Sequence, residues 1–151
     1  MKDTLDENSN RKAWMSLLAK APEGRVKALL EAAIPRPAFT WLRDPEIGST
    51  MVRARTGATG APFNLGEMTV TRCALTLKSG EIGHAYIHGR RKADAEAAAI
   101  VDALMQTAAA AQVRVSILEP LSDEANAKTV VRASKAAATK VEFFTMVRGE
   151  D

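Results

Sequence analysis

Arg53, Arg55 and Arg72, with Glu67 between them, are the residues of this chain best suited to gripping a phosphate or a carboxylate. A guanidinium makes paired, charge-assisted hydrogen bonds to either group. Arg53 and Arg55 are two residues apart, so in a strand they share a face at about 7 Å spacing. Arginines on strands also serve as solvated edges, or as partners of a structural acid such as Glu46, and the spacing alone leaves these roles open. His84 and His88 have the spacing of a metal-binding pair on a helix. In a strand, however, four residues span about 13 Å, too far for two rings to share an ion. Cys73 is the only cysteine, so no intramolecular disulfide forms, and it reads as a small buried hydrophobe in a reducing compartment. No serine and carboxylate stand near either histidine in a triad context. The expectation is therefore no catalytic residue, no metal and no cofactor held by this chain.

Gly57 to Gly66 is rich in Gly and Pro but lacks the Gly-Lys-Ser/Thr ending of a phosphate-binding loop, and it leads into a strand. Its amides can form an anion-binding nest, or the segment can be a shaped connection. Pro62, Phe63, Asn64 and Leu65 are its loop or interface candidates.

The elements that must carry these residues follow from periodicity. Residues 1–9 read as a flexible polar tail and 10–151 as one domain. Asn10 is a candidate N-cap for a helix with Trp14, Leu17, Leu18 and Ala21 on one face. Pro22 suits the first turn of a second helix, carrying Val26, Leu29, Leu30 and Ala33. Residues 38–43 and 49–55 read as two strands broken at Asp44-Pro45-Glu46, and a long strand is expected over 67–78. Ser79-Gly80 makes a two-residue hairpin turn into 82–88. That turn would pair Leu75 with His84, Cys73 with Tyr86 and Thr71 with His88. A helix is expected over 91–111, residues 113–118 fit either strand or helix, and Ser122 looks like the N-cap of a helix running to about Ala138. Lys128, Arg132 and Lys135 stripe that helix, as a solvated face or one awaiting a partner. A buried strand is expected over Val141 to Val147. The fold class is α+β: an antiparallel sheet with a central hairpin at about 67–88, packed by N-terminal and C-terminal helices.

Charge and composition narrow the function classes. Residues 49–92 carry net +5 and the remainder −2, so an anionic partner or substrate belongs near the former segment. The basic footprint is too small to argue for nucleic acid. No apolar run approaches the ~20 residues that span a bilayer. The first ten residues are polar, with no secretory signal, so a cytoplasmic location is expected. With 46% hydrophobic residues but only 5% aromatics, the apolar mass lies in small side chains. Each buries little area, which leaves room for stabilisation by a partner.

Three runs of sequence carry a family resemblance. They are Met51-Val52-Arg53-x-Arg55 with Gly60-x-Pro62-Phe63-Asn64-Leu65-Gly66-Glu67-x-Thr69-Val70-Thr71-Arg72, Gly83-His84-x-Tyr86-x-x-Gly89-Arg90 with Asp102-Ala103-Leu104, and Val141 to Asp151. With Arg11-x-x-Trp14-Met15 and Arg43-x-Pro45-Glu46-x-Gly48, they resemble the PhnG family of the carbon–phosphorus lyase system over nearly the whole chain. The resemblance implies an accessory subunit assembled with PhnI-, PhnH- and PhnJ-like subunits in a two-fold symmetric complex, with a PhnL-like ATPase component. It implies that the complex replaces the adenine of ATP (with Mg) by an alkylphosphonate, giving α-D-ribose 1-methylphosphonate 5-triphosphate when methylphosphonate is used. PhnI is the implied catalyst. Two other readings stay open: a small transferase, and a stand-alone anion-binding module using Arg53, Arg55 and Arg72.

Overall fold

The computed structural model describes the backbone of residues 2–141 and side chains from Asn8 onward. Among the described residues five α-helices and three strands follow the order α1 (Lys2–Lys20), α2 (Arg25–Ala33), β1 (Phe39–Arg55), β2 (Pro62–Leu77), β3 (Ile82–His88), α3 (Lys92–Leu104), α4 (Ala110–Val113) and α5 (Glu119–Ala138). A π-helical stretch, Arg114–Leu118, joins α4 to α5. The fold is α+β, built on one antiparallel sheet of order β1-β2-β3.

One face of the sheet makes the core. Thr71, Cys73, Leu75 and Leu77 of β2 alternate inward with Gly83, Ala85 and Ile87 of β3. Helix α3 lies on this face, and its buried alanines 95, 97, 98, 99 and 103 make it thin enough to approach closely. A Cβ added to Gly83 would sit 1.9 Å from the Ala99 carbonyl oxygen, so the helix backbone rests on the strand where a side chain is missing. Leu18, Val26, Leu30, Val113, Ile117 and Leu121 complete the same cluster from the other helices.

Several sequence expectations are corrected. Helix α1 starts at Lys2, before the start expected after Asn10. Pro22 lies outside α2, which starts after Gly24 at φ 74. The strands expected at 38–43 and 49–55 are one strand, because the pairing with β2 absorbs Pro45 in register shifts at Trp41/Arg43 and Arg43/Glu46. Proline is tolerated there because β1 is an edge strand and the irregularity removes the need for its N–H. The Gly/Pro-rich segment is irregular only through residue 61, since β1 supplies ladder partners from Pro62 onward.

The β2–β3 register differs by one residue from that of a two-residue turn. Leu77 and Glu81 close a three-residue loop through the Leu77 N–H to Glu81 carbonyl bond of 2.9 Å, with Gly80 at φ 105. Thr71 therefore pairs with Ile87 and Cys73 with Ala85, while His84, Tyr86 and His88 face outward. A one-residue slip exchanges the faces, and Ala85, Gly83 and Ile87 are the set that fits under α3. The helix expected over 91–111 stops at Leu104, where the Thr107 hydroxyl donates to the Leu104 carbonyl at 2.7 Å and accepts from the Ala109 N–H. Residues 113–118 are helical. The strand expected over Val141 to Val147 lies outside the described residues except for Val141, which belongs to no element.

Candidate interaction surface

Strand β3 pairs only with Val70 to Thr76, whereas β1 and β2 pair onward to Arg55 and Pro62. Residues 49–55 and 62–69 therefore project as a two-stranded ribbon in which no residue is buried. Two strands alone are marginally stable in water, and among the described residues no third strand or helix covers this ribbon. Its tip is a 3-10 turn, Thr56–Ala58, held by the Gly60 N–H to Thr56 carbonyl bond and by Arg55 Nη1 donating to the Gly60 carbonyl at 3.0 Å.

The ribbon gathers most of the residues singled out from sequence. Arg53 lies opposite Asn64, Ala54 opposite Phe63, and Arg55 opposite Pro62. Met51 lies opposite Glu67, on the face that carries Arg53 and Arg55. Leu65 is the extra residue at the Val52/Arg53 register shift and is 64% exposed. With Met51 on the arginine face and Phe63, opposite Ala54, on the other face, it leaves large apolar side chains in solvent. Cross-strand neighbours on such a ribbon present one combined face to whatever docks there.

Arg72 is elsewhere. It lies opposite Glu46, whereas Arg53 is seven β1 positions further along, roughly 23 Å away at strand rise. Arg72 Nε donates to Glu46 Oε1 at 2.7 Å, and its guanidinium lies flat over Gly48, the glycine's absent Cβ falling 3.5 Å from Cζ. The bond from Arg72 holds the Glu46 carboxyl below its ordinary range, and Arg43 adds to the effect. The same bond raises the Arg72 guanidinium, with Tyr86 across the ladder contributing. Arg72 thus has an internal acid as partner, while Arg53 stands exposed.

Sequence reasoning gave no structural role to the pair of buried Asp102 and partly exposed Arg11 at the other end of the sheet. Asp102, fully buried on α3, accepts from Arg11 Nε at 3.1 Å and Nη2 at 2.6 Å, from the Trp14 indole at 2.9 Å and from the His84 backbone N–H at 2.9 Å. One carboxylate thereby ties α1, α3 and β3 together. The signal was an aspartate inside the apolar run Ile100-Val101-x-Ala103-Leu104, with Arg11 and Trp14 one turn apart on α1. Asp94 works similarly: its Oδ2 accepts from the Gly24 N–H at 2.9 Å and lies 3.5 Å from Arg91 Nη1. Arg91 in turn donates to the carbonyls of His88 and Ala21, which locks the start of α3 to the α1–α2 link.

Chemically this arrangement holds surfaces together. Burial pushes the Cys73 thiol up to about 12, so it stays protonated at neutral pH, with its sulfur 3.2 Å from the Ala95 carbonyl oxygen. Among the described residues no group of three or more His, Cys, Asp or Glu is placed to hold a metal ion. No described helix is long and apolar enough to cross a membrane.

Comparison with known proteins gives two findings. The model of the family described as "Phosphonate metabolism protein PhnG" matches residues 9–149. The chain is 43% identical over 143 residues to the protein named "Alpha-D-ribose 1-methylphosphonate 5-triphosphate synthase subunit PhnG" of Rhizobium meliloti (strain 1021). That match covers 95% of this chain and 92% of the relative.

Proposed function

The chain belongs to the PhnG family of phosphonate metabolism proteins, and from that membership we propose that it is an accessory subunit of an α-D-ribose 1-methylphosphonate 5-triphosphate synthase, with no catalytic centre of its own. The observation that carries the reading is the 43% identity, across 95% of the chain, to a protein named as that subunit. The geometry agrees. The buried carboxylate Asp102 is taken up by structural bonds to Arg11, Trp14 and the His84 backbone, while the ribbon exposes Phe63 and Leu65.

In this proposal the partners are PhnI-, PhnH- and PhnJ-like subunits in a two-fold symmetric complex, with a PhnL-like ATPase. A PhnI-like subunit displaces adenine, and ATP with Mg is a substrate of the complex rather than a cofactor of this chain. A cytoplasmic location belongs to the same proposal, because ATP must be supplied. The ribbon, with Arg53, Arg55 and Glu67 on one face and Pro62, Phe63, Asn64 and Leu65 towards its end, is the proposed interface to a neighbouring subunit. A stand-alone anion module would need Arg53, Arg55 and Arg72 to converge, and their register separates them.

Adenine release from ATP and methylphosphonate tests the reading, with this chain alone, the partner subunits alone, and all co-produced. Release is expected only from the full set. Release by the chain alone, or undiminished release by the partners without it, overturns the proposal. At the ribbon, Phe63→Ser with Leu65→Ser, and separately Arg53→Ala with Arg55→Ala, are expected to abolish co-purification while the isolated chain unfolds as before. Normal assembly of both double variants removes the ribbon from the interface.

A further inference from the structure

A second exposed feature is the groove between α1 and α5. Its floor is apolar, made by Leu17 and Ala21 on one side and Leu121 and Ala125 on the other, with Lys20 and Lys128 at its rim and a volume of about 330 Å³. Past this groove α5 leaves the body of the protein. Every residue from Ala125 to Ala138 is exposed, so no side of this stretch is buried against the described residues. Fourteen residues of helix are marginal on their own in water, which makes an unpacked stretch of this length a candidate for covering by another chain.

The charge on this stretch is one-sided. Lys128 and Lys135 follow Leu121 at seven-residue intervals, and Arg132 follows Ala125 by seven, so the three continue the side of α5 that floors the groove. There is no Asp or Glu from Ala125 to Ala138. Glu124, the last carboxylate before it, is bound to Arg25 at 2.6 Å. Among the described residues none of Lys128, Arg132 and Lys135 has an ionic partner.

We propose that the groove between α1 and α5, with the basic side of α5 that prolongs it, receives an acidic amphipathic segment of a partner subunit. The segment would set apolar side chains on Leu17, Ala21, Leu121 and Ala125 and carboxylates against Lys20, Lys128, Arg132 and Lys135, the helix-in-groove mode of recognition. The inference rests on the accessory-subunit reading above. Charge favours a protein of opposite sign over a second copy, because this chain is itself +3. Shape favours a protein segment over a lipid surface, because the apolar floor is recessed between two helices and out of reach of a flat bilayer.

The test uses the full chain co-produced with its synthase partners. Lys128→Glu with Arg132→Glu and Lys135→Glu should weaken partner retention about tenfold or more, and added salt should weaken wild-type retention in the same direction. Ala125→Trp, an exposed position where the new ring fills the groove, should do so without changing charge. Both variants should keep the far-ultraviolet circular dichroism and melting temperature of the wild-type isolated chain. Wild-type assembly by both variants overturns this inference and leaves the accessory-subunit reading standing. Failure of the wild-type chain itself to join the partners overturns both. Flotation of the wild-type chain with phosphatidylglycerol vesicles, lost on the triple reversal, while the reversed chain still assembles, assigns the stripe to a membrane and also overturns the proposal. So does a homodimer in sedimentation that the triple reversal dissociates.

Discussion

At the scale of single residues, Asp102 and Glu46 show how burial sets the worth of a carboxylate. Asp102 is fully buried on α3 and holds four donors from two other elements, α1 and β3. Asp102→Ala strands the Arg11 guanidinium, the Trp14 indole and the His84 amide at once, so a loss of about 3–5 kcal/mol is expected in urea unfolding. A change below about 1 kcal/mol would show that water replaces the carboxylate without difficulty. Glu46 sits in solvent with Arg72, so its pairing shows in titration rather than in stability. Its folded pKa lies below the ordinary 4.5, so the pair's contribution is complete above the unfolded value and is lost as pH falls through the lower folded one. Side-chain carboxyl NMR should find Glu46 titrating below 4.5 in the wild type and moving up in Arg72→Ala. An unmoved titration in the variant would mean that Arg72 is not its partner in solution. Arg53 and Arg55 were legible from sequence as a pair on one face, since strand alternation is local. That Arg72 does not join them was not legible, because the distance depends on the register between two strands.

At the scale of elements, close approach of α3 to β3 decides the register of the hairpin. The alanines of α3 and Gly83 of β3 are complementary only if Gly83, Ala85 and Ile87 face inward. Gly83→Ala would place a methyl 1.9 Å from the Ala99 carbonyl oxygen, a contact relieved only by moving backbone. Overpacking of this kind costs about 1–3 kcal/mol, occasionally more, and should lower the thermal midpoint without altering subunit assignment. A variant as stable as wild type would mean that α3 slides away from β3 freely. Ser79-Gly80 announced a hairpin, and the existence of the hairpin was legible for that reason. Its loop length was not, because Gly80 serves equally in a two-residue turn or at the left-handed position of a three-residue one. Pro45 misled in the other direction: as a local signal it breaks a strand, yet at an edge with a register shift it stays within β1.

At the scale of the whole molecule, a well-packed body carries two extensions, the β1–β2 ribbon and the outer half of α5. Opening free energy should follow that division, low where few apolar contacts exist and approaching the global value in the core. Hydrogen exchange of the isolated chain should be fast over 49–55, 62–69 and 125–138 and slow over 92–104, with protection of the extensions appearing in the assembled complex. Protection of 125–138 equal to that of α3 in the isolated chain would contradict the division. From the sequence alone came the α+β class, the main helices and strands, the inertness of Cys73, the grouping of Arg53 with Arg55 and the family resemblance, because each rests on local periodicity, residue chemistry or direct matching of residues. Only the tertiary structure decided the continuity of β1, the inward set of β3, the burial of Asp102 under Arg11 and Trp14, and the uncovered ribbon and helix. Those depend on which distant segments meet, and the hydrophobic burial that brings them together is non-directional, so no local pattern specifies the partner.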